Sequence, residues 1–217
     1  MKQHAGRAGF TLIELLVTIA IIAILAALAL TAMGAAQTQG DRAKAISNMR
    51  QIGSAIASYS ADKDSQLPGP LWPGQLAEFD PARAGRLVRE LAPYLGFETP
   101  AKPVIIDLFV PPAYRRITPA ASLSTARTFV MNMAVSSGNS TINPWGSLAA
   151  NDGSSPMRLG NIPPNAWGFS DADRQHPRVV GASWAANTPT EPIHKKRLAW
   201  FFNGSVSPIE TTELQQP

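Results

Sequence analysis

One stretch near the N-terminus, residues 10–30, limits the folds open to this chain more than any other feature. It is 21 residues long and carries one charged side chain, Glu14. As an α-helix rising about 1.5 Å per residue it would span roughly 31 Å, the hydrocarbon thickness of a bilayer. Lys2 and Arg7 precede it without any acid. Basic residues at this place stay cytoplasmic, so we expect the rest of the chain to lie outside the inner membrane.

Glu14 stands out because a carboxylate within lipid is costly and generally marks a function that involves a partner. Residues 9–17 read Gly-Phe-Thr-Leu-Ile-Glu-Leu-Leu-Val, which resembles the processing motif of type IV pilins and type II secretion pseudopilins. The resemblance implies that prepilin peptidase cuts between Gly9 and Phe10 and that Phe10 is then N-methylated. It also implies that Glu14 pairs with the terminal amine of a neighbouring subunit. The alternatives are a secretory signal cut near residues 26–29, which the early glutamate fits poorly, and a plain membrane anchor.

A helical pattern continues beyond the apolar run. Apolar residues recur every three or four positions, at Ile46, Met49, Ile52, Ile56 and Tyr59. Because this spacing places them on one face of a helix and no proline occurs before Pro68, we predict a single helix over residues 10–61.

The pattern divides the chain into four parts. We predict a leader at residues 1–9, a transmembrane and filament-core helix at 10–30, an amphipathic continuation at 31–64 and a periplasmic or extracellular domain at 65–217. The expected fold class is α+β and pilin-like, with the long helix packed on a small, mostly antiparallel sheet. The chain has no cysteine, so no disulfide holds this domain together.

Local patterns predict the elements of the outer domain. A helix is expected at residues 81–95, strands at 104–110, 128–135 and 178–184, and a long loop at 136–165. The dipeptide Asn203-Gly204 lies between two β-prone runs and predicts a hairpin with a type I′ turn. The polar tail, residues 210–217, is expected to be frayed. Trp145 and Trp167 would either anchor the loop to the core or face a neighbouring subunit.

Residues able to support chemistry are few. Asp62 and Asp64 are weak metal candidates at the predicted helix end, but the glycine and glutamate of a calcium loop are missing. We therefore predict no metal and no cofactor.

His176 is expected in a surface loop. No motif points to a catalytic triad, so no enzymatic activity is predicted. His194 begins a basic run with residues 195–197, expected to be a solvated strand start.

A narrower resemblance covers the end of the helix. Residues 47–68 are similar to pseudopilin-like proteins of planctomycetes and verrucomicrobia. Those proteins carry an aspartate in the C-terminal hairpin where this chain has Asn203, so a calcium site like that of major pseudopilins is not implied. The resemblances imply a subunit of a type II secretion pseudopilus or type IV pilus-like filament, homo-oligomeric or mixed, built by an assembly platform.

A membrane-anchored binding module, such as a competence-type DNA-uptake pseudopilin, is the alternative function. The charge balance gives it little support. The chain has 19 Lys+Arg against 15 Asp+Glu, and losing Lys2 and Arg7 with the leader would leave 17 against 15. So small an excess is no argument for nucleic-acid binding.

Overall fold

The computed structural model describes residues 10–148, 153–193 and 196–215. Gly9, at the predicted cleavage point, lies outside these residues, as do His194 and Lys195 of the predicted basic run. By its internal contacts the chain divides into two units, Met1–Gly40 and Asp41–Pro217.

The predicted long helix is confirmed. Helix α1 runs without a break over Leu12–Asp62. In the first unit its large apolar side chains are open on every side: from Leu12 to Leu28 each is between 47% and 82% exposed. This part is long and apolar enough to cross a membrane. A helix that is apolar all round needs lipid or other apolar helices around it.

In the second unit, α1 buries one stripe. Met49, Ile52 and Ile56 are at most 1% exposed and belong to the main hydrophobic core, with Ile46 and Tyr59 packed at its edge. The predicted stripe is therefore confirmed. It packs in the same core as residues of the sheet, because the spacing of three and four residues keeps these side chains on one face.

The α+β fold class is confirmed by an antiparallel sheet of five strands. The strands, among nine in the described residues, are β1 Gly74–Leu76, β4 Arg127–Met131, β7 Trp167–Asp171, β8 Arg197–Phe201 and β9 Val206–Ile209, in the order β1-β4-β7-β8-β9. All four pairings are antiparallel.

Smaller elements surround this sheet. β2 Glu78–Phe79 pairs with β3 Val104–Ile105, and β5 Val135–Ser137 pairs with β6 Ser140–Ile142. The short helices are α2 Leu87–Leu91, α3 Pro112–Ile117, α4 Ala120–Leu123 and α5 Thr211–Gln215. Single 3₁₀ turns occur at Ala92–Tyr94, Asp107–Phe109, Leu159–Asn161 and Ala185–Asn187.

The predicted strand at residues 178–184 is wrong. This segment folds into turns, with Val179 and Val180 both donating to the His176 carbonyl oxygen at 2.8 and 3.0 Å. Gly181, at φ +80°, continues the turn. The strand that precedes this segment is β7, which begins two residues after the loop predicted at 136–165. The β5–β6 hairpin lies largely inside that predicted loop.

Three other elements are shorter than predicted, and one of them is the strand at 128–135, which ends at Met131. The strand at 104–110 ends at Ile105, because Phe109 donates to the Ile106 carbonyl in a 3₁₀ turn that puts its ring in the core. The helix at 81–95 begins only at Leu87, since Gly85 has φ +74° and Arg86 is extended.

The C-terminal hairpin is confirmed, but its predicted type I′ turn is wrong. The Gly204 N–H donates to the Phe201 carbonyl at 2.8 Å, and Gly204 has φ +84° whereas Asn203 has no positive φ. This is a three-residue loop with a glycine bulge. It points the buried ring of Phe202 at Trp145, 5.5 Å away between centroids.

The tail was predicted to be frayed, but it is helical over Thr211–Gln215. α5 buries Leu214 completely against Trp167, Ala199 and Ile209.

Trp145 is fully buried and donates from Nε1 to the Gly168 carbonyl at 3.2 Å. Of the two possibilities for Trp145 and Trp167, the structure therefore shows anchoring to the core.

Candidate functional site

The start of helix α1 is a capping box built by Thr11 and Glu14. The Thr11 backbone N–H and its hydroxyl donate to Glu14 Oε2 at 2.9 and 2.8 Å. In return, Thr11 Oγ1 accepts the Glu14 N–H at 3.3 Å, and the Thr11 carbonyl accepts the N–H of Leu15. These bonds satisfy backbone donors that a helix N-terminus leaves without partners.

The capping box places the Glu14 carboxylate beside Phe10. Phe10 precedes Thr11 directly, and its ring is 73% exposed. Among the described residues, Glu14 Oε2 accepts both of these hydrogen bonds and Oε1 accepts none. One carboxylate oxygen thus orders the helix start, while the other remains open to a donor from outside the chain.

The sequence prediction named Glu14 but missed the contribution of Thr11. The spacing Thr-x-x-Glu before an apolar run is a capping-box signature and would have revealed it. Gly9 lies outside the described residues, so cleavage between Gly9 and Phe10 stays a prediction.

Asp62 and Asp64 remain weak metal candidates. Asp62 is the last residue of α1, Asp64 follows at φ +50°, and both are exposed to solvent. Within the described ranges, no three His, Cys, Asp or Glu side chains come together in a way that would hold a metal ion.

His176 was predicted in a surface loop, and this is wrong. The side chain is fully buried, and its Nδ1 accepts the Arg178 N–H at 3.0 Å. Nε2 therefore carries the proton and donates to Ser170 Oγ, 3.0 Å away. Burial and the charges of Arg197 and Arg178 lower the pKa of His176 to about 3, so the ring is neutral.

The Ser170–His176 contact does not have the geometry of a nucleophile and its base. A general base needs an unprotonated nitrogen facing the hydroxyl, whereas here the protonated nitrogen faces it. The pair instead fixes the turn after β7, because each buried polar group supplies a partner for the other.

Two buried carboxylates lie in the same region. Asp173 is paired with Arg197, and Asp171 accepts the Leu198 N–H on Oδ2 at 3.0 Å. Asp171 Oδ1 is buried without a partner in the described structure. Burial, reinforced by Asp173, raises the pKa of Asp171 to about 7. No sequence signal distinguished these acids from surface residues.

Comparison with known proteins supports the N-terminal part of this site. Residues 4–30 match the family model for the prokaryotic N-terminal methylation motif. The motif indicates a pilin- or pseudopilin-type precursor that is processed at its N-terminus; it implies cleavage by prepilin peptidase and assembly into a pilin filament. No curated protein and no solved structure matches the chain. The apolar start of α1 and the motif are together consistent with a membrane-anchored pilin.

Proposed function

We propose that this protein is a structural subunit of a type II secretion pseudopilus or a type IV pilus-like filament. Prepilin peptidase removes residues 1–9, Phe10 becomes the methylated N-terminus, and subunits join through α1. The resemblance of residues 47–68 to planctomycete and verrucomicrobial pseudopilins favours the secretion pseudopilus. No enzymatic activity, metal or cofactor is part of this proposal.

The observation that carries the proposal is the exposed apolar part of α1 with Glu14 at its start. Side chains from Leu12 to Leu28 are uncovered, so lipid covers them before assembly and neighbouring helices cover them afterwards. In the membrane the chain passes once, with its N-terminus cytoplasmic and the domain periplasmic. A contact that repeats head to tail without closing produces a filament.

Glu14 has two separable roles in this proposal. Oε2 caps the helix of its own chain, and Oε1 accepts the methylated terminal amine of the adjacent subunit. An ammonium and a carboxylate that meet in lipid offset each other's desolvation. The assembly platform and a filament of identical or mixed subunits are the partners that this role requires.

Two substitutions separate the charge of Glu14 from its cap. Glu14→Gln removes the charge but keeps an acceptor that suits a capping box. Thr11→Val removes the hydroxyl that accepts the Glu14 N–H and keeps the charge. Each variant is expressed with its secretion or pilus machinery, and the amount of subunit in sheared filaments is compared with the amount in the membrane.

We expect Glu14→Gln to reduce the filament fraction by at least tenfold, and Thr11→Val by less than about threefold. Cleavage of both precursors is checked by mass spectrometry, so that a processing defect is not mistaken for an assembly defect. Normal filaments from Glu14→Gln would refute the charge pairing. The competence-type alternative gains support instead if the full chain in detergent binds DNA with a steep salt dependence.

A further inference from the structure

A small cleft of about 250 Å³ lies beside β1 in the second unit. In the described part of the chain it is lined by Trp72, Pro73, Gly74, Arg86, Arg127 and Trp184. Two of these residues are cations, two are tryptophans and none is an acid. Its volume equals that of about eight water molecules. The proposed filament function uses none of these residues.

The two arginines share a single acceptor. Arg86 Nη1 and Arg127 Nη1 both donate to the Gly74 carbonyl oxygen, at 3.0 and 2.8 Å. Arg86 is only 9% exposed. The Nε atoms of both arginines are buried without a partner, and the salt bridges recorded for the described residues include neither arginine.

Positive charge therefore accumulates at this cleft, and neither lining arginine has an acid in direct contact. Burial, then the charges of Arg127 and Arg83, lower the pKa of Arg86 to about 10, and the charge of Glu78 offsets only part of this effect. Burial also lowers the pKa of Arg127. Buried charges are normally paired, so an anion placed here would relieve a repulsion that the fold otherwise sustains.

The walls of the cleft are held in place before any ligand binds. The fully buried amide of Gln75 donates to the carbonyls of Trp72 and Gly85, and its Oε1 accepts the Leu87 N–H at 2.6 Å. Gly74 has no Cβ; one added there would lie 2.6 Å from Arg127 Cδ. Only glycine therefore lets Arg127 come this close.

The aromatic walls indicate what kind of anion fits. The Arg127 guanidinium lies 5.4 Å above the centroid of the Trp184 ring, which orients it by a cation–π contact. Trp72 is 42% exposed at the other wall. A guanidinium matches the planar fork of a carboxylate, and indole rings favour a planar or apolar body next to it.

We propose that this cleft binds a small organic carboxylate, with the carboxylate at Arg86 and Arg127 and an apolar body against Trp72 and Trp184. The carboxylate comes either from a free organic acid or from an acidic side chain of another polypeptide. The recognition chemistry is the same for both sources.

Calorimetric titration of the full chain in detergent micelles tests the ligand class. The probes are benzoate, benzamide and acetate, which supply ring and charge, ring alone and charge alone. We expect benzoate to bind at least tenfold more tightly than either of the others. Equal binding of benzoate and benzamide would show that the arginines do not select a charge, and would overturn the proposal.

A second pair of probes distinguishes the two sources. N-acetyl-Glu-Phe-amide and its Gln-Phe counterpart present the same carboxylate and amide on a peptide. Tighter binding of the Glu peptide than of benzoate assigns the cleft to a polypeptide partner, and the reverse assigns it to a free acid. If neither acid binds better than its amide, the proposal fails.

Variants locate the binding to this cleft. Arg127→Gln should weaken the better acid at least tenfold, whereas Arg50→Gln, on the exposed face of α1, should leave its affinity unchanged. Circular dichroism checks that Arg127→Gln is folded. If Arg127→Gln does not fold, Trp72→Ala at the exposed wall replaces it as the test. This variant should lower the affinity for benzoate several-fold and leave the affinity for acetate unchanged. An unchanged affinity for benzoate would contradict the proposal.

Discussion

Arg197 holds the carboxylate of Asp173 by two hydrogen bonds in the interior, Nε to Oδ2 at 2.6 Å and Nη2 to Oδ1 at 2.8 Å. Their side chains are only 5% and 1% exposed. The remaining amino group of Arg197, Nη1, donates to Thr211 Oγ1 at 2.9 Å. This one guanidinium therefore joins the turn after β7, the start of β8 and helix α5.

Removing Arg197 should strongly destabilise the second unit. Arg197→Met leaves Asp173 as a buried charge without its partner, a change that costs about 3–5 kcal/mol in comparable sites. The free energy of unfolding is measured by urea titration of the full chain in detergent, followed by tryptophan fluorescence.

The adjacent residue supplies a matched control. Lys196 pairs with Glu210 at 2.8 Å, but the two side chains are 58% and 63% exposed. Lys196→Met should cost less than about 1 kcal/mol, because water screens an exposed pair. Equal losses for both variants would contradict a stabilising role for the buried pair.

The prediction of a solvated strand start at residues 195–197 is wrong for Arg197, whose side chain is only 5% exposed, and the sequence could not have placed this pair inside. Asp171, Asp173 and Arg174 precede His176-Pro177 and resemble a charged surface loop. Arg174 is indeed exposed, but both aspartates are buried. Their burial depends on partners far along the chain: Leu198 for Asp171 and Arg197 for Asp173. All five residues of β7 are buried, so the strand lacks the alternation of polar and apolar residues by which a strand is recognised.

Features set by local spacing could be predicted. α1 follows from its 3.6-residue periodicity, and the β8–β9 hairpin from Asn203-Gly204 between two β-prone runs. At the candidate site, the motif around Gly9 and Phe10 leads to Glu14, whose role in assembly stays a prediction. The capping bond to Thr11 was equally local, and only the tertiary contacts of the outer domain had no local signal.

Asp171 and His176 should give opposite pH dependences of stability. Burial raises the pKa of Asp171 from 3.8 to about 7, so the folded state binds more protons between these values and stability falls as pH rises. Burial lowers the pKa of His176 from 6.5 to about 3. For His176 the unfolded state binds more protons, so stability falls as the pH decreases.

Between pH 4 and 6.5 the two effects oppose each other, and single variants should separate them. In Asp171→Asn only the histidine contribution remains, so the free energy of unfolding should decrease as the pH falls from 6.5 to 4. In His176→Asn it should increase over the same range. Urea titrations at four pH values measure both slopes, and slopes of the same sign in the two variants would refute this account.

The mature protein should begin with N-methyl-Phe10. Cleavage after Gly9 removes Lys2 and Arg7, the two basic residues that precede the apolar helix. Mass spectrometry of the protein purified from membranes measures the N-terminal peptide directly. An N-terminus near Ala29, or retention of Met1 in the assembled form, would instead favour a secretory signal or an uncleaved anchor.

Gly53 should tolerate no side chain, although it lies within a helix. A Cβ built there would overlap the indole of Trp200 on β8, with Cδ1 at 2.8 Å and Cε2 at 2.9 Å. Helix propensity alone would make Gly53→Ala stabilising by about 1 kcal/mol. Since overpacking between two well-packed elements costs about 1–3 kcal/mol, we expect a net loss of stability in urea unfolding.

Gly40 in the same helix provides the control for this prediction. Apart from its chain neighbours and the adjacent helix backbone, no atom lies within 4 Å of a Cβ added at Gly40, so Gly40→Ala should leave the free energy of unfolding unchanged or raise it by up to about 1 kcal/mol. The smaller ring of Trp200→Phe should leave room for the added Cβ. Gly53→Ala should therefore cost less stability in the Trp200→Phe background than in the wild-type protein. Equal stabilisation by both alanines would mean that α1 does not pack on Trp200. The different outcomes predicted for Gly40 and Gly53 follow because tertiary contact, and not helix propensity, determines which residue each position accepts.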